Sequence, residues 1–139
     1  MDQFKTLIVE DSLAFRQTLM DILRTKFPGM VLEEAADGKE ALRQVSAILP
    51  DLIFMDIRLP GENGLQMTQK IKRKHPQIKI IILTSYDLPE YREASARYGA
   101  DNFIIKGSAT SGGILSLVES ILKDAGYNNN GSEKGGPKK

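Results

Sequence analysis

The stretch LIFMDIRLPGENG, residues 52–64, joins a short apolar run to an acid and a loop rich in glycine. The run LIFM is apolar without alternation, which is typical of a strand whose sheet is covered on both faces. Asp56 follows directly, and Pro60 and Gly64 shape the loop that leads away from the strand. Gly64 is expected to supply a backbone angle that other residues rarely adopt. The stretch therefore indicates one central strand of a parallel sheet that lies between layers of helices.

Short β-rich runs alternate with helical segments on both sides of this stretch. The predicted strands share high apolar or β-branched content; they are residues 4–9, 30–36, 52–55, 78–83 and 102–105. Between and after them, apolar residues recur at spacings of three and four, which predicts five amphipathic helices. Such alternation implies parallel strands joined by right-handed helical crossovers. The sequence thus predicts an α/β doubly wound fold with a five-stranded parallel sheet.

Composition restricts the classes of function. The chain has 139 residues, the size of one domain, and its 19 basic and 18 acidic residues nearly cancel. No bulk field draws it to nucleic acid or to a membrane, so we expect direct binding to neither. Cysteine is absent, and the apolar run near the N-terminus is too short for a signal peptide or a spanning helix. We expect a cytoplasmic protein.

The C-terminal part of the chain carries two further expectations. The domain is predicted to cover residues 1–125, and the segment GYNNNGSEKGGPKK, residues 126–139, lacks apolar periodicity. We expect this segment to be a disordered tail, either a truncated linker or a cloning remnant. The last helix opens through Ser111, Gly112 and Gly113, and glycine is a poor helix former. Its first turn is therefore expected to be frayed or to start late.

Polar residues follow four of the predicted strands at the point where each strand ends. Glu10 and Asp11 follow the first, Asp56 the third, Thr84 the fourth and Lys106 the fifth. In an open parallel sheet these carboxyl ends form the ligand-binding edge. Any one acid could equally be a helix cap. Together, however, three carboxylates repel each other, and one lysine cannot neutralise them. A hard divalent ion can, which favours a Mg²⁺ site.

Four motifs carry a resemblance to a known family. They are VEDS (9–12), MDIRLPGENG (55–64), LTS (83–85) and FIIK (103–106), and they match in type, order and spacing. The chain resembles the CheY-like receiver domains of two-component response regulators over about residues 4–124, most closely those of the LuxR-like group. The resemblance implies the flavodoxin-like strand order 2-1-3-4-5. It also implies Mg²⁺-dependent phosphoryl transfer onto the domain rather than turnover of a separate substrate.

The same resemblance implies roles for individual residues. Asp56 would be the phosphoryl acceptor, with Thr84 and Lys106 contacting phosphoryl oxygens. Thr84 and Phe103 would form the switch that responds to phosphorylation. Mg²⁺ would be held by three carboxylates and one backbone carbonyl, those of Glu10, Asp11, Asp56 and Arg58. Receivers usually follow the lysine with proline, but Gly107 stands here, so we expect a looser loop.

Partners follow from the resemblance as expectations. A sensor histidine kinase would supply the phosphoryl group, and a DNA-binding output domain outside this chain would receive the signal. A phosphorylation-dependent homodimer is a further expectation. The domain would assist only its own phosphorylation and dephosphorylation, and so would not be an enzyme in the usual sense.

Other functions compete with this interpretation. A stand-alone receiver that passes or absorbs phosphoryl groups needs the same residues. A phosphatase of the haloacid dehalogenase type needs a second aspartate two residues after the first, where Arg58 stands. A flavin carrier needs a phosphate-binding loop after the first strand, where Glu10 and Asp11 would repel phosphate. A degenerate receiver that only binds partners is disfavoured, because all the reactive residue types are present.

Overall fold

The computed structural model describes residues 3–128 and residue 131 of the chain. Strands and helices alternate strictly along these residues. The elements are β1 (Lys5–Val9), α1 (Leu13–Lys26), β2 (Val31–Ala35), α2 (Gly38–Ile48), β3 (Leu52–Met55), α3 (Gly64–Lys74), β4 (Lys79–Thr84), α4 (Pro89–Arg97), β5 (Asn102–Ile105) and α5 (Ser111–Asp124). In this part of the chain, no helix combines the length and apolar character that crossing a membrane requires.

The five strands form one parallel sheet in the order β2-β1-β3-β4-β5. This confirms both the doubly wound fold and the strand order implied by the resemblance. The register aligns Val9 of β1 with Met55 of β3, and Met55 with Ile82 of β4. Consequently the residues that follow these strands leave the sheet side by side at one edge.

Two apolar layers cover the two faces of the sheet. Alternate residues of the central strands point to opposite faces, so that Ile8 and Phe54 contact one layer while Leu7 and Ile53 contact the other. Residues from α1 and α5 complete the first layer, and residues from α2 and α3 complete the second. Burial on both faces explains the unbroken apolar sequence of β3.

Side-chain caps fix where several helices begin. Asp37 caps α2, and its carboxylate accepts a hydrogen bond of 2.8 Å from the Glu40 amide. The prediction of a late start for α5 is wrong, because the helix begins at Ser111, while fraying of its first turn stays a prediction. The Thr110 hydroxyl accepts a hydrogen bond of 3.0 Å from the Gly113 amide. This cap satisfies an amide that the first turn leaves unpaired, which offsets the weak helix propensity of the glycines.

The first residues of the predicted tail pack against the domain. The ring of Tyr127 meets the ring of Phe4 edge-on, with the centroids 5.2 Å apart. The Phe4 amide donates a hydrogen bond of 3.1 Å to the Gly131 carbonyl. The disorder expected for residues 126–139 stays a prediction. Residues 129–130 and 132–139 of that tail lie outside the described residues, and the boundary at residue 125 stays a prediction.

Candidate functional site

Backbone pairing brings the acids together at the carboxyl edge of the sheet. The Glu10 amide donates to the Ala35 carbonyl at 3.0 Å, and the Asp56 amide donates to the Val9 carbonyl at 3.1 Å. Glu10 and Asp56 are buried, with 3% and 6% exposure, whereas Asp11 is exposed. One carboxylate oxygen from each of the three acids lies within 4.8 Å of the others. These oxygens are the kind of donor that a hard divalent cation requires.

Lys106 reaches this acid group from β5. Its Nζ lies 2.6 Å from Oε1 of Glu10 and 3.2 Å from Oδ2 of Asp56. The ammonium also sits 4.4 Å from the ring centre of Phe15, on the first turn of α1. The lysine side chain is 14% exposed. The ammonium therefore bridges two carboxylates in a largely dry position.

The electrostatics leave excess negative charge at this edge. Burial and the charge of Asp56 raise the pKa of Glu10 above its ordinary value, although hydrogen bonds from Lys106 and the Ser12 amide oppose the change. Burial lowers the pKa of Lys106, but its bonds to Glu10 and Asp56 and their charges outweigh burial and leave that pKa raised. Lys106 is therefore held as an ammonium. Three carboxylates face one such cation, so a second cation would be stabilised here.

The two oxygens of Asp56 have different surroundings. Oδ1 accepts a hydrogen bond of 2.7 Å from the Ile57 amide, whereas Oδ2 faces Lys106. Gly64 touches the same residue from the far end of the loop. A Cβ added to Gly64 would lie 1.8 Å from the Asp56 carbonyl oxygen. The expected special backbone angle is not found at Gly64, since positive φ in this loop occurs at Gly61. Close backbone approach to Asp56 is what requires a glycine at position 64.

Thr84 and Phe103 lie on neighbouring strands beside the acids. Thr84 is fully buried at the end of β4, and its hydroxyl accepts a hydrogen bond of 3.3 Å from the Tyr86 amide. Phe103 is half-buried on β5, and the guanidinium of Arg92 lies 4.7 Å from its ring centre. Arg92 is itself paired with Asp87 at 3.1 Å. An α4 side chain thus covers the aromatic residue predicted to switch.

Arg58 connects the loop after Asp56 to the region around α4. Its guanidinium lies 4.0 Å from the ring centre of Tyr86 and donates a hydrogen bond of 3.3 Å to the Tyr91 hydroxyl. That hydrogen bond raises the pKa of Arg58, so the guanidinium stays charged. Its backbone forms an antiparallel bridge with Asn63. Arg58 therefore restrains the loop after Asp56 through its backbone and through its side chain.

One contributor to this edge was not predicted from the sequence. Arg16 of α1 donates hydrogen bonds of 2.6 Å to the Glu10 carbonyl and to Oε1 of Glu34. The apolar spacing that predicts this helix gave no reason to select an arginine on it. Contacts between a helix and two strands depend on the fold, so no local signal could have revealed this one.

The fold and its polar edge define a doubly wound α/β domain that carries its reactive groups at the carboxyl ends of parallel strands. The family profile described as response regulator receiver domain matches residues 6–119. The chain belongs to this family, which acts in two-component signalling.

Individual relatives agree with this assignment. The oxygen regulatory protein NreC of Staphylococcus haemolyticus is 37% identical over 124 residues, covering 88% of this chain and 57% of that protein. A protein-glutamate methylesterase/protein-glutamine glutaminase of Geobacillus kaustophilus is 34% identical over 125 residues, covering 89% of this chain and 35% of that protein. The chain therefore spans about half or less of the length of these curated relatives.

Solved structures agree as well. A CheY-like receiver domain protein from Methanospirillum hungatei has a TM-score of 0.82 at 28% identity, covering 88% of this chain and 96% of that one. A LuxR-family two-component response regulator from an Aurantimonas species has a TM-score of 0.78 at 26% identity, covering 91% and 89%. Both likenesses extend over nearly the whole domain.

Proposed function

We propose that this domain accepts a phosphoryl group on Asp56 from a sensor histidine kinase in the cytoplasm. The observation that carries the proposal is the Lys106 ammonium, which bridges Glu10 and Asp56 at one buried edge of the sheet. The bridge keeps Oδ2 of Asp56 beside a cation, where charge on an incoming phosphoryl group can be offset. The domain would promote only its own phosphorylation and dephosphorylation.

The surroundings of Asp56 select the oxygen that reacts. Oδ1 accepts a short hydrogen bond from the Ile57 amide, whereas Oδ2 accepts a longer one from Lys106, which can pass to the phosphoryl oxygens; Oδ2 is therefore the proposed nucleophile. Oδ2 forms a bond to phosphorus as the bond from phosphorus to the donor nitrogen breaks, and the donor imidazole leaves with that electron pair. Lys106 then pairs with a phosphoryl oxygen, and the Thr84 hydroxyl donates a hydrogen bond to another. The product is an acyl phosphate on a side chain of the protein itself.

Magnesium fits the donor set at this edge. Glu10, Asp11 and Asp56 would hold it together with the backbone carbonyl of Arg58, and the clustered carboxylate oxygens support this assignment. Bound Mg²⁺ would neutralise charge on the phosphoryl oxygens. The fold would hold these three carboxylates close together despite their mutual repulsion.

Magnesium should stabilise the native domain, and Asp11 should govern the response. In the wild type, binding to the folded state alone adds about 2.7 kcal/mol to the free energy of unfolding at a concentration a hundred times Kd. Asp11→Ala removes repulsion without breaking an ion pair, so this variant should melt higher than the wild type in EDTA. Its rise in Tm with Mg²⁺ should be smaller, as measured by differential scanning calorimetry.

A surface acid on the same helix as Arg16 provides the control. Asp21 is exposed on α1, so Asp21→Asn should respond to Mg²⁺ like the wild type. A wild-type Tm that is the same in EDTA and in millimolar Mg²⁺ would contradict the metal site.

Phosphorylation would reach partners through Thr84 and Phe103. When the Thr84 hydroxyl turns toward the phosphoryl group, it gives up its bond with the Tyr86 amide and vacates space near β5. Phe103 would move into that space and lose its contact with Arg92, which changes the surface made by α4, β5 and α5. The phosphoryl group favours this state only through its differential contacts. That surface would then bind an output domain or a second copy of this chain.

Amide spectra with Mg²⁺ and beryllofluoride, a phosphoryl mimic, test the proposed function as a whole. We expect shifts around Asp56 and also along residues 84–106 and α5. Shifts confined to the neighbourhood of Asp56 would mean that the site binds a phosphoryl group without transmitting the change. No shift at Asp56 would reject the acceptor assignment itself.

A further inference from the structure

Arg16 joins three elements beneath the acid group. Its Nη1 donates to the Glu10 carbonyl and its Nε donates to Oε1 of Glu34, both at 2.6 Å. The arginine side chain is only 12% exposed, whereas Glu34 is 41% exposed. The guanidinium therefore links α1 to the end of β1 and to β2. Such a short, charge-assisted bond to a main-chain carbonyl strongly restrains that carbonyl.

Every polar group of Glu10 takes part in a hydrogen bond. Its amide donates to Ala35, and its carbonyl accepts from Arg16. Its carboxylate oxygens accept from the Ser12 amide at 2.9 Å and from Lys106. Among the residues that the structure describes, Arg16 alone donates to the carbonyl, and that carbonyl belongs to the peptide group that leads into Asp11. The N and Cα atoms of Asp11 lie in this peptide plane, so its orientation fixes the point from which the Asp11 side chain starts.

Asp11 has no comparable restraint of its own. Across residues 3–128 and 131, no hydrogen bond or ion pair holds its carboxylate, which is exposed. Its oxygen nevertheless lies within 4.8 Å of oxygens from Glu10 and Asp56. Repulsion from two buried carboxylates should drive such a side chain away. The backbone must therefore keep Asp11 near its neighbours.

We propose that Arg16 is a positioning residue for the metal site. Its hydrogen bond to the Glu10 carbonyl would hold the Asp11 carboxylate where it can bind the cation. This inference rests on the proposed function, because it assumes that Glu10, Asp11 and Asp56 bind Mg²⁺. It assigns Arg16 no contact with the metal or the phosphoryl group. Groups that orient metal ligands in this way typically change metal affinity by about 10-fold to 100-fold when they are removed.

The sign of the effect separates positioning from simple electrostatics. Arg16 carries a positive charge near a cation site, so charge alone would weaken Mg²⁺ binding, and its removal would tighten it. Positioning predicts the reverse, since a freed peptide group lets Asp11 turn away. Lysine has the charge but only one nitrogen, so it cannot bond to the Glu10 carbonyl and Glu34 with the arginine's fork geometry.

The test compares Mg²⁺ affinity among variants of the full chain, measured by titration with MgCl₂ while the Ser12 and Ile57 amide signals are followed. Arg16→Met should raise the dissociation constant by about tenfold or more. Arg16→Lys should fall between Arg16→Met and the wild type. Arg24→Met, which breaks an exposed ion pair with Asp21 on the same helix, should leave the affinity unchanged. Glu34→Gln, which spares the bond to Glu10, should weaken binding less than Arg16→Met.

The outcomes also separate this inference from the proposed function. No Mg²⁺ binding by the wild type would reject the metal site itself. Normal wild-type binding with equal or tighter binding by Arg16→Met would overturn the positioning role alone. If Arg16→Met fails to fold, Arg16→Lys and Glu34→Gln decide. A Mg²⁺ affinity of Arg16→Lys equal to that of the wild type overturns the positioning role. A Mg²⁺ affinity of Arg16→Lys below that of Glu34→Gln supports it.

Discussion

Asp56→Asn should remove phosphorylation completely. Incubated with Mg²⁺ and acetyl phosphate, the wild type should gain one phosphoryl group by intact mass spectrometry, and the variant should gain none. The amide of asparagine keeps the shape of the side chain, but it lacks a carboxylate oxygen that can attack phosphorus. Oδ2 of Asp56 lies 3.2 Å from Lys106 Nζ at the end of the central strand β3, and the asparagine amide cannot replace it as a nucleophile.

Asp87 offers a matched control for this experiment. It lies in the loop after β4 with an exposed side chain, and its partner is Arg92 on the surface. Asp87→Asn should be phosphorylated to the same extent as the wild type. A phosphoryl group gained in equal yield by Asp56→Asn would place the acceptor elsewhere.

Lys106→Met should destabilise the metal-free domain severely. Its ammonium is the cation shared by Glu10 and Asp56, whose side chains are only 4% and 8% exposed. Removing one partner of a buried pair leaves an uncompensated charge, which lowers the free energy of unfolding by about 3 kcal/mol. Urea unfolding in EDTA should show this loss. Mg²⁺ should restore much of it, because the metal takes over the neutralisation of the same carboxylates.

Lys72 is the matched control for this second experiment. Its side chain is also 14% exposed and pairs with Asp101 at 3.0 Å, but on the other side of the molecule from the acid group. Lys72→Met should be destabilised as well, yet Mg²⁺ should help it no more than it helps the wild type. Equal rescue of both lysine variants by Mg²⁺ would show that the metal does not act at the acid group.

The apolar spacing within each segment and the family resemblance predicted the architecture, because both are carried by the residues of the individual strands and helices. The apolar run of β3 and the acids after β1 and β3 are visible in the sequence, and the sheet brings them together as expected. Contacts that depend on the completed fold were not visible. The bond from Arg16 to the Glu10 carbonyl connects a helix to a strand end, and nothing in the spacing of α1 marks it.

One local expectation was wrong because of a single contact. Glycine propensity suggested a late start for α5, but one hydrogen bond from Gly113 to Thr110 is enough to begin the helix at Ser111. One side chain there outweighs the average tendency of the segment around it. The disorder that tail composition suggests from residue 126 stays a prediction, and Tyr127 at its start contacts the ring of Phe4.

The close approach of Gly64 to Asp56 also bears on which mutations this domain can survive. Even alanine at position 64 would place a carbon inside the contact distance of the Asp56 carbonyl, and the backbone of the acceptor would have to move. Gly107 has open space around the position of a Cβ, so a side chain fits there. In a library of random variants, position 64 should therefore tolerate change as poorly as the acceptor aspartate, although it contributes no reactive atom. The substitutions that this loop accepts are therefore limited as much by the space beside Asp56 as by the chemistry of the acceptor.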